Sequence, residues 1–227
     1  MLYYAEASRI CAYDRANLGL SDKAPKPRTF EDMTRDLHAL LVNAPIEGPY
    51  ILVGHSMGGM LVRLFADQYP EEVAGLVLVD SAHPDMGDRL LAALPPESAD
   101  EPESFKAWRQ YSNFLSASNG RELDNPEGVD AKTSNAQVRA VKSLGDLPLV
   151  VISRSPNNPV LAAHMPSLPE ETSAKLLQRW QDLQAELMGL SSNSTQVFAQ
   201  GGHGIPIEEP QLVVDAILEL VNEIRSR

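Results

Sequence analysis

The stretch YILVGHSMGG at residues 50–59 decides the fold of this chain. Its first four residues are apolar and rich in branched side chains, as in a buried strand, and the Gly-Pro pair before them indicates a turn. Apolar residues then recur at helical spacing from Leu61 to Tyr69, and Pro70 ends the pattern. The sequence therefore predicts a strand, a sharp turn centred on Ser56, and a helix.

The turn at Ser56 has the pattern of a nucleophile. Glycines stand at Gly54 and Gly58, which gives the pattern G-x-S-x-G. A turn this tight strains its central residue, and we expect a Cβ at either glycine to collide with the crossing backbone. The pentapeptide alone arises by chance in roughly one chain in ten of this length. The flanking strand and helix favour a nucleophile over a glycine-rich turn with a solvent-facing serine.

With these neighbours, GHSMG at residues 54–58 resembles the nucleophile elbow of the α/β-hydrolase family. The resemblance implies an α/β fold, with a mostly parallel sheet and helices on both faces. It also implies a serine hydrolase that cleaves an ester or similar acyl substrate through an acyl-enzyme. Apolar runs at residues 10–13, 76–79, 149–152 and 196–199 are further predicted strands, and their alternation with helical patterns favours a parallel sheet.

Residues 84–145 interrupt this alternation. They carry no strand pattern, several prolines and many acidic residues, and in the resembled family a helical cap is inserted here. We therefore predict a core formed by residues 1–83 and 146–227, with residues 84–145 as the cap. Within it, one helical face could line an acyl pocket or attach the cap to the body, and the second interpretation is favoured. That face consists of Trp108, Tyr111, Phe114 and Leu115.

Two helix starts can be read from the sequence. Thr29 and Asp32 have the spacing of a capping box ahead of a run with apolar residues on one face. Pro210 opens a final helix with one continuous apolar stripe.

A serine hydroxyl becomes a strong nucleophile only when a base takes its proton and a carboxylate orients that base. His203, in GGHGIP at residues 201–206, follows the last predicted strand. The resemblance implies that the base occupies this loop, so His203 is the predicted base and His83 the runner-up. The remaining histidines are interpreted as non-catalytic, namely His38 on a solvated helix face, His55 beside the elbow and His164 in a proline-flanked loop.

The carboxylate partner is less directly indicated. The resembled family commonly carries it after the strand that follows the cap, but residues 149–158 contain no carboxylate. Some members place it after the earlier strand, where Asp80 stands in this chain. Asp80 is therefore predicted to orient His203, with Asp85 in the same loop as the alternative. A non-catalytic interpretation of Asp80 is a turn residue that caps local amides.

The backbone N–H of Met57, at the start of the helix, is predicted to bind the oxyanion of the substrate. We expect Ser56 Oγ to lie within hydrogen-bond reach of His203, because both follow strands whose carboxyl ends share one edge of the sheet. The family's second oxyanion donor lies upstream of residues 10–13, where residues 2–8 read like the end of a helix. The loop around Asn17 is the first place to look for a substitute.

The resemblance begins partway into the family's fold, so the first three strands of the family are expected to be missing. The segment at residues 10–13 should then be poorly ordered or paired directly with the strand at residues 50–53. Loss of one oxyanion donor lowers turnover by about 10²- to 10³-fold, so weak activity is expected. The alternative function is a non-catalytic remnant or ligand-binding module of the same fold.

Composition excludes several other classes of function. The chain has 31 acidic and 19 basic residues, a net charge of −12, which disfavours binding to nucleic acid or to a membrane surface. The single cysteine, Cys11, stands in an apolar run and is predicted to fill the core. No spaced ligand cluster suggests a metal, and no cofactor is implied. The expected partner is a small acyl substrate, and the cytoplasm is the default location.

Overall fold

The computed structural model describes residues 9–44, 46–117, 125–155 and 166–226. Its strands are β1 (Tyr50–His55), β2 (Val73–Val79), β3 (Leu149–Arg154) and β4 (Ser194–Ala199). Its helices are α1 (Phe30–Asn43), α2 (Met57–Gln68), α3 (Met86–Ala93), α4 (Glu103–Ala117), α5 (Ala131–Ala140), α6 (Glu170–Met188), α7 (Ile205–Glu208) and α8 (Pro210–Ser226), with a 3₁₀ turn at Pro70–Glu72.

The four strands form one sheet in the order β1-β2-β3-β4, and every neighbouring pair is parallel. Since parallel strands end at the same edge, the loops after β1, β2, β3 and β4 meet along one side of the sheet. The α/β class and the parallel sheet predicted from the sequence are confirmed.

Alternate residues of β2 supply the cores on the two faces of the sheet. Leu76 and Leu78 pack in an apolar cluster with residues of α1, α2 and α6, whereas Val77 and Val79 pack in a second cluster with α8. This division follows from the two-residue period of a strand, which turns successive side chains to opposite faces. Because both faces are covered, β2 and β3 read as continuous apolar runs.

Both predicted helix starts are confirmed. Thr29 and Asp32 form a complete capping box at the start of α1, with each side chain bonded to the other's backbone amide. Pro210 is the first residue of α8.

Four of the five predicted strands are confirmed, and the strand at residues 10–13 is wrong. These residues form no strand, and Ile10 is 66% exposed. Cys11 is also exposed, so its predicted role in the core is wrong as well. The segment that follows is bound elsewhere, because Arg15 donates two hydrogen bonds to the Glu127 carboxylate, at 2.6 and 2.8 Å.

The outer side of β1 lacks a partner strand in the part of the chain that the structure describes. The segment at residues 10–13 is placed in the structure without pairing to β1, so the expected direct pairing is wrong. An apolar run becomes a strand only where a neighbour can bond its backbone, and this requirement is not visible in a single run of sequence.

Three helices, α3, α4 and α5, fall within residues 84–145, the predicted cap. The described residues of this segment contain no strand, and Val129 forms only an isolated bridge to Arg28, outside the sheet. Trp108 of α4 is 4% exposed, and its indole N–H donates to the Pro166 carbonyl at 3.0 Å. Tyr111 and Leu115 pack against the same apolar cluster, so this face of α4 packs inward.

Candidate active site

Ser56 lies at a strained turn between β1 and α2. Its φ is 54° and its ψ is −123°, a conformation that costs free energy for a residue with a side chain. The backbone is fixed by two bonds to the loop after β2, since Ser56 N–H donates to the Val79 carbonyl and the Ser56 carbonyl accepts from Ala82. The Ser56 hydroxyl does not cap the helix, so it is left free for other chemistry.

The glycines at this turn have unequal roles. A Cβ on Gly54 would lie 2.4 Å from the Gly58 carbonyl oxygen and 2.6 Å from the Gly59 amide nitrogen, as the collision argument predicted. A Cβ on Gly58 would meet nothing within 4 Å, so the predicted collision there is wrong. Gly59 faces the Ser81 side chain instead, with Oγ at 2.1 Å from an added Cβ.

Asp80 and His203 meet at the carboxyl edge of the sheet. The His203 Nδ1 and Asp80 Oδ2 atoms lie 2.6 Å apart. Asp80 is fully buried and has a φ of 40°, and its N–H donates to the Ile152 carbonyl at 2.6 Å. With Nδ1–H donated to the carboxylate, the Nε2 lone pair of His203 is free to accept a proton.

The glycines around His203 allow two carboxylates at the end of α7 to hold the loop. Gly202 N–H donates to Glu208 at 2.6 Å, and Gly201 N–H donates to Glu209. A Cβ on Gly201 would lie 2.4 Å from Glu208 Oε2, and one on Gly204 would lie 2.7 Å from Oε1 of the same carboxylate. The glycine-rich sequence thus brings backbone and carboxylate into contact and fixes the loop that carries His203.

His55, expected beside the elbow, also contacts the loop that carries His203. Its Nε2 donates to the His203 carbonyl at 2.7 Å, and the two imidazole rings are 4.6 Å apart. Burial lowers the pKa of His55, so its ring is neutral at neutral pH.

Arg154, which the sequence analysis did not identify, is the other partner of Asp80. It ends β3 and is 5% exposed, and its Nη2 lies 3.0 Å from Asp80 Oδ2. Its guanidinium carbon lies 4.3 Å from the centre of the Trp180 ring. The available signal was the position of Arg154 at the end of a predicted strand, on the edge where Asp80 also lies.

Asp85, the alternative acid, lies in a different cluster. Its carboxylate accepts from Arg139, and its backbone N–H donates to His83 Nδ1 at 3.2 Å. Glu186 accepts two hydrogen bonds from Arg89 beside the same histidine. The geometry therefore brings Asp80, and not Asp85, to His203.

Ligand atoms of His83, Asp85 and Glu186 lie within 4.8 Å of one another, close enough to be considered for a metal ion. Both carboxylates are already bound by Arg139 and Arg89, and these cations oppose a further positive charge. The donor set therefore does not fit a metal.

A second, unsatisfied charge adjoins this cluster. Arg63 of α2 is 3% exposed, and its Nε and Nη1 atoms have no hydrogen-bond partner in the part of the chain that the structure describes. Burial lowers the pKa of Arg63 to about 10, and burial together with the Arg63 charge lowers the pKa of His83 to about 4. His83, the runner-up base, is therefore neutral over most of the pH range.

Ser56 was expected to lie within hydrogen-bond reach of His203 and beside backbone donors for the oxyanion. No hydrogen bond joins the Ser56 hydroxyl to His203 within the described ranges. Met57 is the first residue of α2, where the helix leaves its N–H without an internal acceptor. Asn17 N–H already donates to the Asp22 carbonyl, so that amide is not a second oxyanion donor.

The two remaining histidines are His38 and His164. His38 keeps 30% of its side chain exposed on its helix face, where its ring also stacks on Tyr69 at 4.0 Å and bonds to Glu72 at 2.9 Å. His164 lies outside the described residues.

An open groove of about 490 Å³ lies at the opposite end of β1. Its walls include Tyr50, where β1 begins, and the acidic side chains Glu47, Glu71 and Glu72. Ser56 follows the other end of that strand, so this groove is separate from the candidate site.

No helix among the described residues is long and apolar enough to cross a membrane. A family model described as "Alpha/beta hydrolase family" matches residues 2–216 of the chain.

The chain is 27% identical to the uncharacterized protein YqjL of Bacillus subtilis, over 93% of this chain and 72% of that protein. It is 35% identical to an uncharacterized protein of Schizosaccharomyces pombe, over 35% of this chain but only 15% of that one. A solved thermophilic esterase from Thermogutta terrifontis has a TM-score of 0.53 and 23% identity, over 93% of this chain and 78% of the esterase. With a family model that matches nearly its whole length and a solved fold of the same kind, the chain belongs to the alpha/beta hydrolase family.

Proposed function

We propose that this chain is a serine hydrolase that cleaves an ester or a similar acyl substrate through an acyl-enzyme. Ser56 is the nucleophile, His203 the base, Asp80 the residue that orients His203, and the Met57 N–H an oxyanion donor. The observation that carries the proposal is the 2.6 Å contact between His203 Nδ1 and the buried Asp80 carboxylate, beside a strained serine turn.

The proposed reaction uses each of these groups in turn. Ser56 Oγ attacks the acyl carbon while His203 Nε2 takes the hydroxyl proton, and the substrate oxygen gains the negative charge. The Met57 N–H stabilises this oxyanion. When the tetrahedral intermediate collapses, the alcohol leaves with the proton from His203. His203 then takes a proton from water, which attacks the acyl-enzyme, and the acid leaves as His203 returns that proton to Ser56 Oγ.

The Ser56 hydroxyl and His203 are not hydrogen-bonded, which still agrees with this mechanism. Catalytic hydrogen bonds are often long before substrate binds, because they tighten only in the complex that reacts. The competing function is a ligand-binding module without catalysis. The missing hydrogen bond between Ser56 and His203 and the identification of a single oxyanion donor both favour it.

Labelling with a fluorophosphonate probe separates the two functions, because the probe reacts only with an activated serine. We expect one adduct on Ser56 by peptide mass spectrometry, lost in Ser56→Ala and strongly reduced in His203→Ala. Ser155→Ala, at the carboxyl edge of β3, is the matched control and should label like the wild type. A folded protein that is not labelled above the Ser56→Ala background would contradict the hydrolase proposal and favour the binding module.

A further inference from the structure

We propose that Arg154 is a positioning residue that fixes the orientation and the protonation of the Asp80–His203 pair, and the catalytic part of this inference rests on the proposed function. Arg154 Nη2 lies 3.0 Å from Asp80 Oδ2, and its Nε lies 3.3 Å from Oδ1. Oδ2 is also the atom that accepts from His203 Nδ1. One carboxylate thus holds a guanidinium and an imidazole at the same time.

Burial explains why a permanent cation is needed at this point. The Asp80 side chain is fully buried, while the His203 side chain is 46% exposed and therefore offers a partly solvated partner. A buried carboxylate is costly unless a charge and hydrogen bonds compensate it, and arginine keeps its charge at any ordinary pH. The Arg154 side chain is 4% exposed and supplies Asp80 with both the charge and the hydrogen bonds.

The surroundings of Arg154 hold its planar group in place. Its guanidinium carbon lies 4.3 Å from the centre of the Trp180 ring, a cation–π distance. The guanidinium therefore contacts a ring of α6 as well as the carboxylate at the end of β2. Since both oxygens of Asp80 contact Arg154, the carboxylate cannot rotate freely, and the ring of His203 is aimed by its bond to Oδ2.

The charges around the pair give the sign of the expected effect. Near the pair are also His55, which burial keeps neutral, and the carboxylates of Glu208 and Glu209 on the His203 loop. Without Arg154 the pair passes from a net charge of −1 to 0 on protonation, whichever member takes the proton. Loss of the neighbouring cation favours that protonation, so the pair takes its proton at a higher pH.

Titration of the imidazoles by NMR, in protein with ¹⁵N-labelled histidine, tests this without any enzymatic activity. We expect the midpoint of the His203 signal to move up by about one pH unit in Arg154→Met. Arg154→Lys keeps the charge and should keep the midpoint near that of the wild type. Arg179→Met removes an exposed charge of α6 and serves as the matched control. An unchanged midpoint in folded Arg154→Met would overturn the inference.

Kinetics on an aryl ester then separate orientation from charge. Arg154→Lys, which cannot hold both oxygens of Asp80, should lower kcat by about 10-fold or more with KM nearly unchanged, when rates are divided by the fraction of protein that a fluorophosphonate labels. An unchanged kcat of Arg154→Lys per labelled site would overturn the orienting role. If Arg154→Met does not fold, this kinetic measurement alone tests the inference. Absence of any Ser56-dependent turnover in the wild type would contradict the proposed function, while the NMR titration would still test the link between Arg154 and the pair.

Discussion

The Asp80 carboxylate lies 2.6 Å from His203 Nδ1, although 123 positions of sequence separate the two residues. The contact follows from topology: Asp80 comes directly after β2, and His203 lies in the loop after β4. Parallel strands bring both to one edge of the sheet, where the backbone of Asp80 has a φ of 40°. The positions of Asp80 and His203 are therefore set by the strands that they follow.

The two candidate acids give the first prediction. Asp80→Asn should lower turnover by roughly 10⁴-fold, because an amide no longer holds His203 in the tautomer that accepts a proton. Asp85→Asn should change turnover little, since the Asp85 carboxylate binds Arg139. The measurement is kcat/KM for an aryl ester, with unfolding by urea to show that both variants are folded. A large loss in Asp85→Asn alone would move the orienting role to that residue.

The glycines of the turn give a second prediction, with a matched control four residues away. Gly54→Ala should lower the free energy of unfolding by about 3 kcal/mol or more, because its Cβ would lie 2.4 Å from a backbone oxygen that cannot move aside cheaply. Gly58→Ala meets open space at the start of α2 and should be neutral or slightly stabilising. Urea unfolding measures both. Equal stability of the two variants would show that the elbow relaxes around an added methyl group.

The sequence predicted the features that depend on local pattern. Residues 76–79 and 149–152 were recognisable as strands because burial on both faces makes every residue apolar. Residues 10–13 have a similar composition, but a strand also requires a partner, and Arg15 instead binds Glu127. The apolar pattern alone could not distinguish a run that has a partner strand from one that has none.

Polar contacts between residues far apart in sequence were harder to predict from the sequence. Asp80 and His203 were predicted from their positions after strands and from a family resemblance. Arg154 was not, because its contact with Asp80 depends on the register of β2 and β3. The difference between Gly58 and Gly59 depends likewise on where Ser81 lies, which is a property of tertiary structure.

Buried His83 predicts that stability depends on pH. Its pKa is lowered to about 4 by burial and by the charge of Arg63, so the unfolded chain takes a proton before the folded protein does. The free energy of unfolding should then fall as pH drops from about 6.5 to 4, by on the order of 3 kcal/mol in total. Urea unfolding between pH 7 and 4 measures this slope, and His83→Gln should flatten it.

The matched control for this window is Asp85→Asn. Arg139 beside the Asp85 carboxylate holds its pKa below the usual value, so its stabilisation is present above about pH 4 and is lost only as pH falls further. The variant also removes a neighbouring charge that raises the pKa of His83, so the slope between pH 6.5 and 4 should be kept and should extend to slightly lower pH. If His83→Gln retained the full slope instead, the proton taken up in this window would belong to another group.

The last prediction compares two buried arginines, one bonded to a carboxylate and one with two nitrogens that lack a hydrogen-bond partner among the described residues. Arg28 is 6% exposed and bonds to the Asp36 carboxylate at 2.6 Å, whereas Arg63 is 3% exposed with Nε and Nη1 unpaired. Removing a buried charge that lacks hydrogen bonds relieves a desolvation cost, so Arg63→Met should raise the free energy of unfolding by about 1–3 kcal/mol. Arg28→Met loses a charged hydrogen bond and should lower it by about 1–3 kcal/mol.

Urea unfolding at pH 7 measures both variants, and opposite signs are the expected result. A loss of stability in Arg63→Met comparable with that in Arg28→Met would mean that the Arg63 charge compensates Asp85 through the interior, despite the absence of a direct bond. The double variant Arg63→Met with Asp85→Asn distinguishes the cases. Additive changes show that the two residues are independent, and a recovered stability in the double variant shows that they are coupled.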